Sequence, residues 1–282
     1  MMSCPLRFIG FVMFSLGVLS SITAAETPAD FAGDARKYVI MSTADKTPLK
    51  LHEKSLLNWT NPVRQKERGE TFVWLHAQRP YAIATFFTYS YDDKTFLKHE
   101  FHSLAPGPLE ASFDGRPAWS PKTPGLTWTE FPESPTPANT HVSRSLQMRQ
   151  LTRQFRAELT SPKNERTELR LSPRPLFEYS APDSGVLDGA ILSFVVATDP
   201  EILLLIEAFE ETRNGKPATG FRYAFARFHY WDVAAYLGDN KVWSAALDKS
   251  HETNNLGDRE NIGKIYNSFH PYRGGKTSAT TE

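Results

Sequence analysis

The chain has 282 residues, with 32 basic and 32 acidic side chains and 40% hydrophobic residues. A net charge near zero excludes binding driven by strong charge opposition, so neither nucleic acid nor an anionic membrane surface is an expected partner. The only cysteine, Cys4, lies ahead of an apolar leader, which excludes disulfides, thiol nucleophiles and cysteine zinc sites from the rest of the chain.

Residues 1–25 read as a cleavable secretory signal. Arg7 supplies the positive start, Phe8 to Ile22 is an apolar or small run, and Thr23-Ala24-Ala25 precede Glu26. The run of about 15 residues is short of the roughly 20 that span a bilayer. A secreted or periplasmic protein is therefore expected, with no stable membrane insertion after cleavage. Residues 26–37 read as a lead-in, and one domain is expected over 34–250.

Strands are expected first. Thr71–His76 is short and apolar; in Tyr81–Tyr91 the larger side chains fall on odd positions, and Thr95–Leu104 returns after a polar hairpin at Asp92-Asp93-Lys94. Residues 105–137 hold eight prolines, at 106, 108, 117, 121, 124, 132, 135 and 137, a density that forbids a continuous helix or a central strand. Trp119 and Trp128 make this a packed excursion rather than a free linker.

Residues 142–159 form the clearest helix by pattern, with Met148, Leu151, Phe155 and Leu159 on one arc, Arg149, Arg153 and Arg156 beside it, and Thr140 or Ser143 as cap. Further strands follow at 167–171, 175–179, 190–198, 202–209 and 221–230, with a turn expected at Asp199-Pro200. Trp231–Leu237 reads as a short helix stopped by Gly238, residues 241–247 as a last strand, and 251–282 as an irregular tail. The fold class expected is α+β: about seven or eight mostly antiparallel strands, one principal amphipathic helix and the Pro-rich excursion.

For chemistry, the densest stretch is His99-Glu100-Phe101-His102. On a strand, His99 and His102 point to opposite faces and cannot share a metal ion, whereas Glu100 and His102 share a face and could act as an acid–base pair. On a helix the two histidines would converge, but the zincin spacing fails because Ser103 stands where the second histidine belongs. Glu100 and His102 are thus the catalytic candidates, His99 and His102 the weak metal candidates, and no cofactor is expected. No nucleophile elbow, phosphate loop or dinucleotide fingerprint occurs, and the remaining histidines show no ligand spacing. Asn58-Trp59-Thr60 is a formal glycosylation acceptor.

The blocks "HEFHSL" at 99–104, "QLTRQFRA" at 150–157, "ELRLSPRPLFEY" at 168–179 and "TDPEILLLIEA" at 198–208 resemble a family of uncharacterised exported proteins of planctomycete-type bacteria. The resemblance spans roughly residues 50–245 and implies bacterial export and one contiguous domain; it transfers no activity. The reading that follows is a non-catalytic binding or envelope-associated module, its partner a cell-envelope component or a small molecule. The alternative is an extracytoplasmic hydrolase or carbohydrate-active protein using an acid/His pair near Glu100.

Overall fold

A computed structural model describes residues 29–272, apart from 65, 66, 93 and 214. The first half begins with a short helix, α1 (Phe31–Arg36), capped by the Asp30 carboxylate, which accepts from Gly33 N at 2.7 Å. Then come β1 (Tyr38–Ser42), β2 (Lys50–Leu51), β3 (Leu57–Asn61), β4 (Glu67–His76), β5 (Arg79–Tyr91), β6 (Lys94–Ser103), β7 (Leu109–Phe113) and β8 (Arg116–Trp119). A connecting stretch carrying β9 (Thr129–Glu130) leads to a second helix, α2 (His141–Thr152). After it run β10 (Phe155–Thr160), β11 (Arg166–Leu171), β12 (Phe177–Ala181), β13 (Val186–Val196), β14 (Asp199–Arg213), β15 (Lys216–Arg227), β16 (Asp232–Leu237) and β17 (Asn240–Ala245). β18 (Tyr266–Phe269) closes the order.

The second half repeats the first, element for element. In one half β3 pairs β4 with Leu57 opposite Thr71 and Trp59 opposite Gly69; in the other β12 pairs β13 with Phe177 opposite Ile191 and Tyr179 opposite Gly189. The bulge between Trp74 and Leu75 recurs between Phe194 and Val195, each followed by a Pro-containing strand start at Pro80 or Pro200. Backbone bonds outside the ladders repeat too: His52 N to Val73 O matches Ser172 N to Ser193 O, and Asp114 N to Lys37 O matches Gly238 N to Gln154 O. The glycines explain one shared detail. A Cβ on Gly69 would stand 2.6 Å from the Trp59 ring, and one on Gly189 would stand 2.3 Å from the Tyr179 ring. Each repeat therefore lays an aromatic ring across a strand position that only glycine can occupy.

The strands assort into three antiparallel sheets, ordered β1-β7-β8, β18-β6-β5-β4-β2 with β3 on β4, and β17-β16-β10-β11-β13-β14-β15-β9 with β12 on β13. Each repeat buries an inner face on its own core. The first core joins Tyr38, Ile40, Trp74, Phe86, Phe101 and Trp119; the second joins Met148, Phe155, Phe194, Leu204, Ile206 and Phe225. The outer faces meet in a third cluster that brings Ile83 and Leu104 against Tyr179, Ile191, Leu203, Leu205 and Ala226.

The largely antiparallel α+β architecture agrees with the sequence, but several elements differ from expectation. Among the described residues there are eighteen strands, many of them very short, rather than seven or eight. The helix starts on the Thr140 cap but ends at Thr152; Phe155 and Leu159 are core residues of a strand, because Phe155, Ala157 and Leu159 also satisfy period two. Trp231–Leu237 is not helical: Asp232–Leu237 is β16, paired with β10. The Pro-rich region contributes β7 and β8, with Pro117 tolerated because β8 is an edge strand. The hairpin turn lies at Ala197-Thr198, Ala197 adopting φ 53°, so Asp199 and Pro200 open β14 instead of forming the turn. Within the expected tail, β18 pairs with β6 and sends Phe269 into the first core. The leader at 1–25 lies outside the described residues. No described helix is long and apolar enough to cross a membrane.

Candidate functional site

β6 is a strand, and its side chains alternate. Leu97, His99 and Phe101 enter the first core, while Lys98, Glu100 and His102 lie on the outer face. His99 and His102 therefore point to opposite faces. His99 stacks on Phe86 at 3.7 Å between ring centres, shares a 2.8 Å hydrogen bond with the Tyr38 hydroxyl, and places Nε2 3.4 Å from Asp34. Burial pushes its pKa down despite Asp34. Burial also opposes the charge on Asp34, yet the adjacent His99 and hydrogen bonds from Lys37 and Tyr272 hold that carboxyl at about 2.

Glu100 and His102 share a face but take different partners. Glu100 accepts from the Tyr266 hydroxyl of β18 at 2.9 Å, and the His102 Nδ1 contact, at 2.8 Å, is the carbonyl of Ser103. Both are buried rather than solvated. Burial raises the Glu100 pKa, partly offset by Tyr266 and Lys98, and lowers that of His102 to about 4.

The residues that assemble into a cavity lie elsewhere on the same face. Strand register sets them in rows: Glu67, Tyr89 and Phe96 in one, and Trp59, Gly69, Phe87 and Lys98 in the next. The segment after β15 brings Tyr230 and Trp231 over these rows, and the turn Lys249–Glu252 adds His251, whose ring stacks on Tyr230 at 3.4 Å. Between them is a cleft of about 760 Å³. Its walls are Phe87, Tyr89, Tyr91, Phe96, Tyr230 and Trp231, and its polar groups include Arg64, Glu67 and Lys98. Val63 and Tyr91 stand at its mouth, 78% and 66% exposed.

A recess of about 40 Å³ adjoins the cleft and is lined by Trp59, Glu100, Asp199 and His229 among others. Here Arg64 places Nη1 2.9 Å from Glu201 and 3.6 Å from Asp199, and its guanidinium lies 5.3 Å over the Trp231 ring. The Glu201 contact is an ion pair without hydrogen-bond alignment, since neither Glu201 oxygen accepts a described hydrogen bond. Burial raises Asp199 to about 8 against the bond from Asn61, pushes Glu201 well above the carboxylate range with help from Asp199, and lifts Glu67 to about 7. No group of three or more described histidine, cysteine or acidic side chains could hold a metal ion.

The equivalent place in the second repeat carries its own carboxylate and borders a smaller pocket of about 270 Å³. Tyr179, Gly189, Glu207 and Arg222 form the row that matches Trp59, Gly69, Phe87 and Lys98. Glu207 is fully buried and receives Arg79 at 2.8 and 2.9 Å, the Tyr179 hydroxyl at 2.8 Å and Arg222 at 2.7 and 2.8 Å. Trp128, from the stretch between the repeats, lies 5.7 Å from the Arg79 guanidinium and 5.0 Å from that of Arg222.

Neither the cleft nor its counterpart in the second repeat is apparent from the catalytic candidates alone. The available signal was the duplication: "LNWTNP" at 57–62 against "FEYSAP" at 177–182, and "HAQRPY" at 76–81 against "VATDPE" at 196–201. Compared with known proteins, the chain matches no family profile, and no curated protein or solved structure is significantly similar to it.

Proposed function

We propose that the chain is an exported, non-catalytic binding module whose site is the cleft beside the junction of the two repeats. Its occupant is a small organic molecule with an apolar or aromatic face, free or as part of a cell-envelope component. One observation carries the reading: six aromatic side chains wall a cavity of about 760 Å³ whose mouth exposes Val63 and Tyr91. A concave site walled by aromatic side chains, with charged and polar groups among them, is the ordinary form of a ligand pocket. Export rests on the leader at 1–25, and the resemblance to planctomycete-type exported proteins points the same way.

The test uses the chain from Glu26 onward and an aromatic-acid and aromatic-amide library read by ligand-observed NMR. Ligands should bind, and should be lost in Tyr89→Ala and Trp231→Ala variants that melt cooperatively. Binding that survives both substitutions would place the site elsewhere.

The second reading, hydrolysis, is favoured by a specific feature. Glu67 at about 7 and Asp199 at about 8 put two acids near neutrality beside one recess, where general acids and bases operate. Turnover of a polysaccharide or ester that disappears in Glu67→Gln or Glu100→Gln would replace the binding reading.

A further inference from the structure

We propose that the cleft takes an organic carboxylate on an apolar or aromatic body, and that Lys98 receives its charged group. The inference rests on the cleft being a ligand site and names the class of ligand.

The comparison between repeats carries it. Lys98 and Arg222 occupy the same position in matching rows. Arg222 has its counter-ion in the same sheet: Glu207, on the neighbouring strand, is 2.7 Å away. The first repeat has Phe87 where the second has Glu207. Lys98 is 5% exposed, and no described carboxylate lies within ion-pair distance of it. Its Nζ donates to the His251 carbonyl and stands 5.9 Å from the centre of the Tyr89 ring. A buried ammonium costs free energy unless a counter-charge meets it. Here that counter-charge is missing where the amine borders a cavity of about 760 Å³.

The other charges do not fill the gap. Glu100, Glu252, Asp248 and Glu67 act on Lys98 only at longer range, and burial keeps Glu67 and Glu100 from ionising as readily as exposed acids. Arg64 also lines the cleft, with Nη1 2.9 Å from Glu201 and 3.6 Å from Asp199; a carboxylate received by Arg64 instead would keep its preference in Lys98→Met. Arg227 donates to the backbone carbonyls of His229, Trp231 and Ala246. In the second repeat a pocket of about 270 Å³ is lined by Arg79, Trp128 and Arg222, but both cations there already have Glu207, so the first cleft is the one of the two that offers a buried amine without a carboxylate partner.

The probes are 2-naphthoate and its uncharged analogue 2-naphthamide, measured by calorimetry at pH 7 on the chain from Glu26. One charge-assisted hydrogen bond should favour the acid by roughly tenfold or more. That preference, read as the ratio of acid to amide affinity, should vanish in Lys98→Met. It should vanish as well in Phe87→Glu, which installs the counter-ion the second repeat already has; either variant serves if the other fails to fold. The preference should fade between pH 7 and 9 as Lys98, held by burial at about 8, loses its proton; Tyr89, Tyr230, His251 and His270 also border the cleft, and because Glu67, raised to about 7, gains charge over the same range, the fade should persist in Glu67→Gln, its loss there overturning the assignment to Lys98. Equal affinity for acid and amide, or a preference that survives Lys98→Met, overturns the assignment while leaving the cleft a ligand site. Failure of both probes to bind overturns the ligand site and this inference with it.

Discussion

Replacing Glu207 by glutamine tests how the repeats are joined. The carboxylate has no solvent exposure and receives five donor contacts, two from Arg79 of the first repeat and three from Tyr179 and Arg222 of the second. Glutamine keeps the shape, removes the charge, and can turn an amide N–H toward the Arg79 and Arg222 guanidinium groups, which only donate. Breaking one partner of a buried ion pair costs about 3–5 kcal/mol. The Arg79 and Arg222 side chains each keep 15% exposure, so water recovers part of their solvation and the lower end, about 3 kcal/mol, is expected. For a chain of this size that lowers Tm by roughly 6–12 °C. Urea titration followed by tryptophan fluorescence reads the change, and an Arg79→Met/Glu207→Gln cycle should show coupling of about 1–3 kcal/mol. A loss under about 1 kcal/mol, or strict additivity, would show that this cluster does not fasten the repeats.

The remaining expectations are shorter. Asp199 and Glu67 have folded pKa values raised to about 8 and 7, so the native state holds protons that the unfolded chain releases near pH 4. Their contribution is fully present below the unfolded values and is lost as pH rises through 7 and 8. Urea midpoints should fall between pH 5 and 8, by up to about 1.4 kcal/mol per pH unit per proton, and Asp199→Asn should flatten that slope. Gly69→Ala and Gly189→Ala should each destabilise by about 1–3 kcal/mol, because the new methyl meets a fixed aromatic ring. Calorimetric melting that leaves either variant unchanged would show the ring is free to shift.

What the sequence disclosed follows from which interactions are local. The alternation in Tyr81–Tyr91 and Thr95–Leu104 gave β5 and β6 and separated His99 from His102. The helix was drawn too long because Met148, Leu151, Phe155 and Leu159 fit helical spacing, while the chain changes to strand after Thr152. Asp199-Pro200 looked like a turn because proline suits one, but the actual turn uses the positive φ of Ala197. Lys98 has no local mark in the sequence, because a lone lysine on an alternating strand carries no signal of burial; Tyr230 and His251, which line the cleft with it, come from distant segments. Glu100 and His102 looked like a pair because they share a face, and it takes β18 to show that Tyr266 claims the acid.

β18 has a further consequence for how the molecule is made. It pairs Tyr266 with His102 and Phe269 with His99, so the sheet of the first repeat borrows its last strand from beyond the second repeat. During synthesis, β6 must wait with an open hydrogen-bonding edge while the whole second repeat emerges. An unprotected edge is a template for pairing with other chains. Assembly is therefore sequential at its close: the first repeat is translated early but sealed late, and any pause before residue 266 prolongs its most aggregation-prone moment.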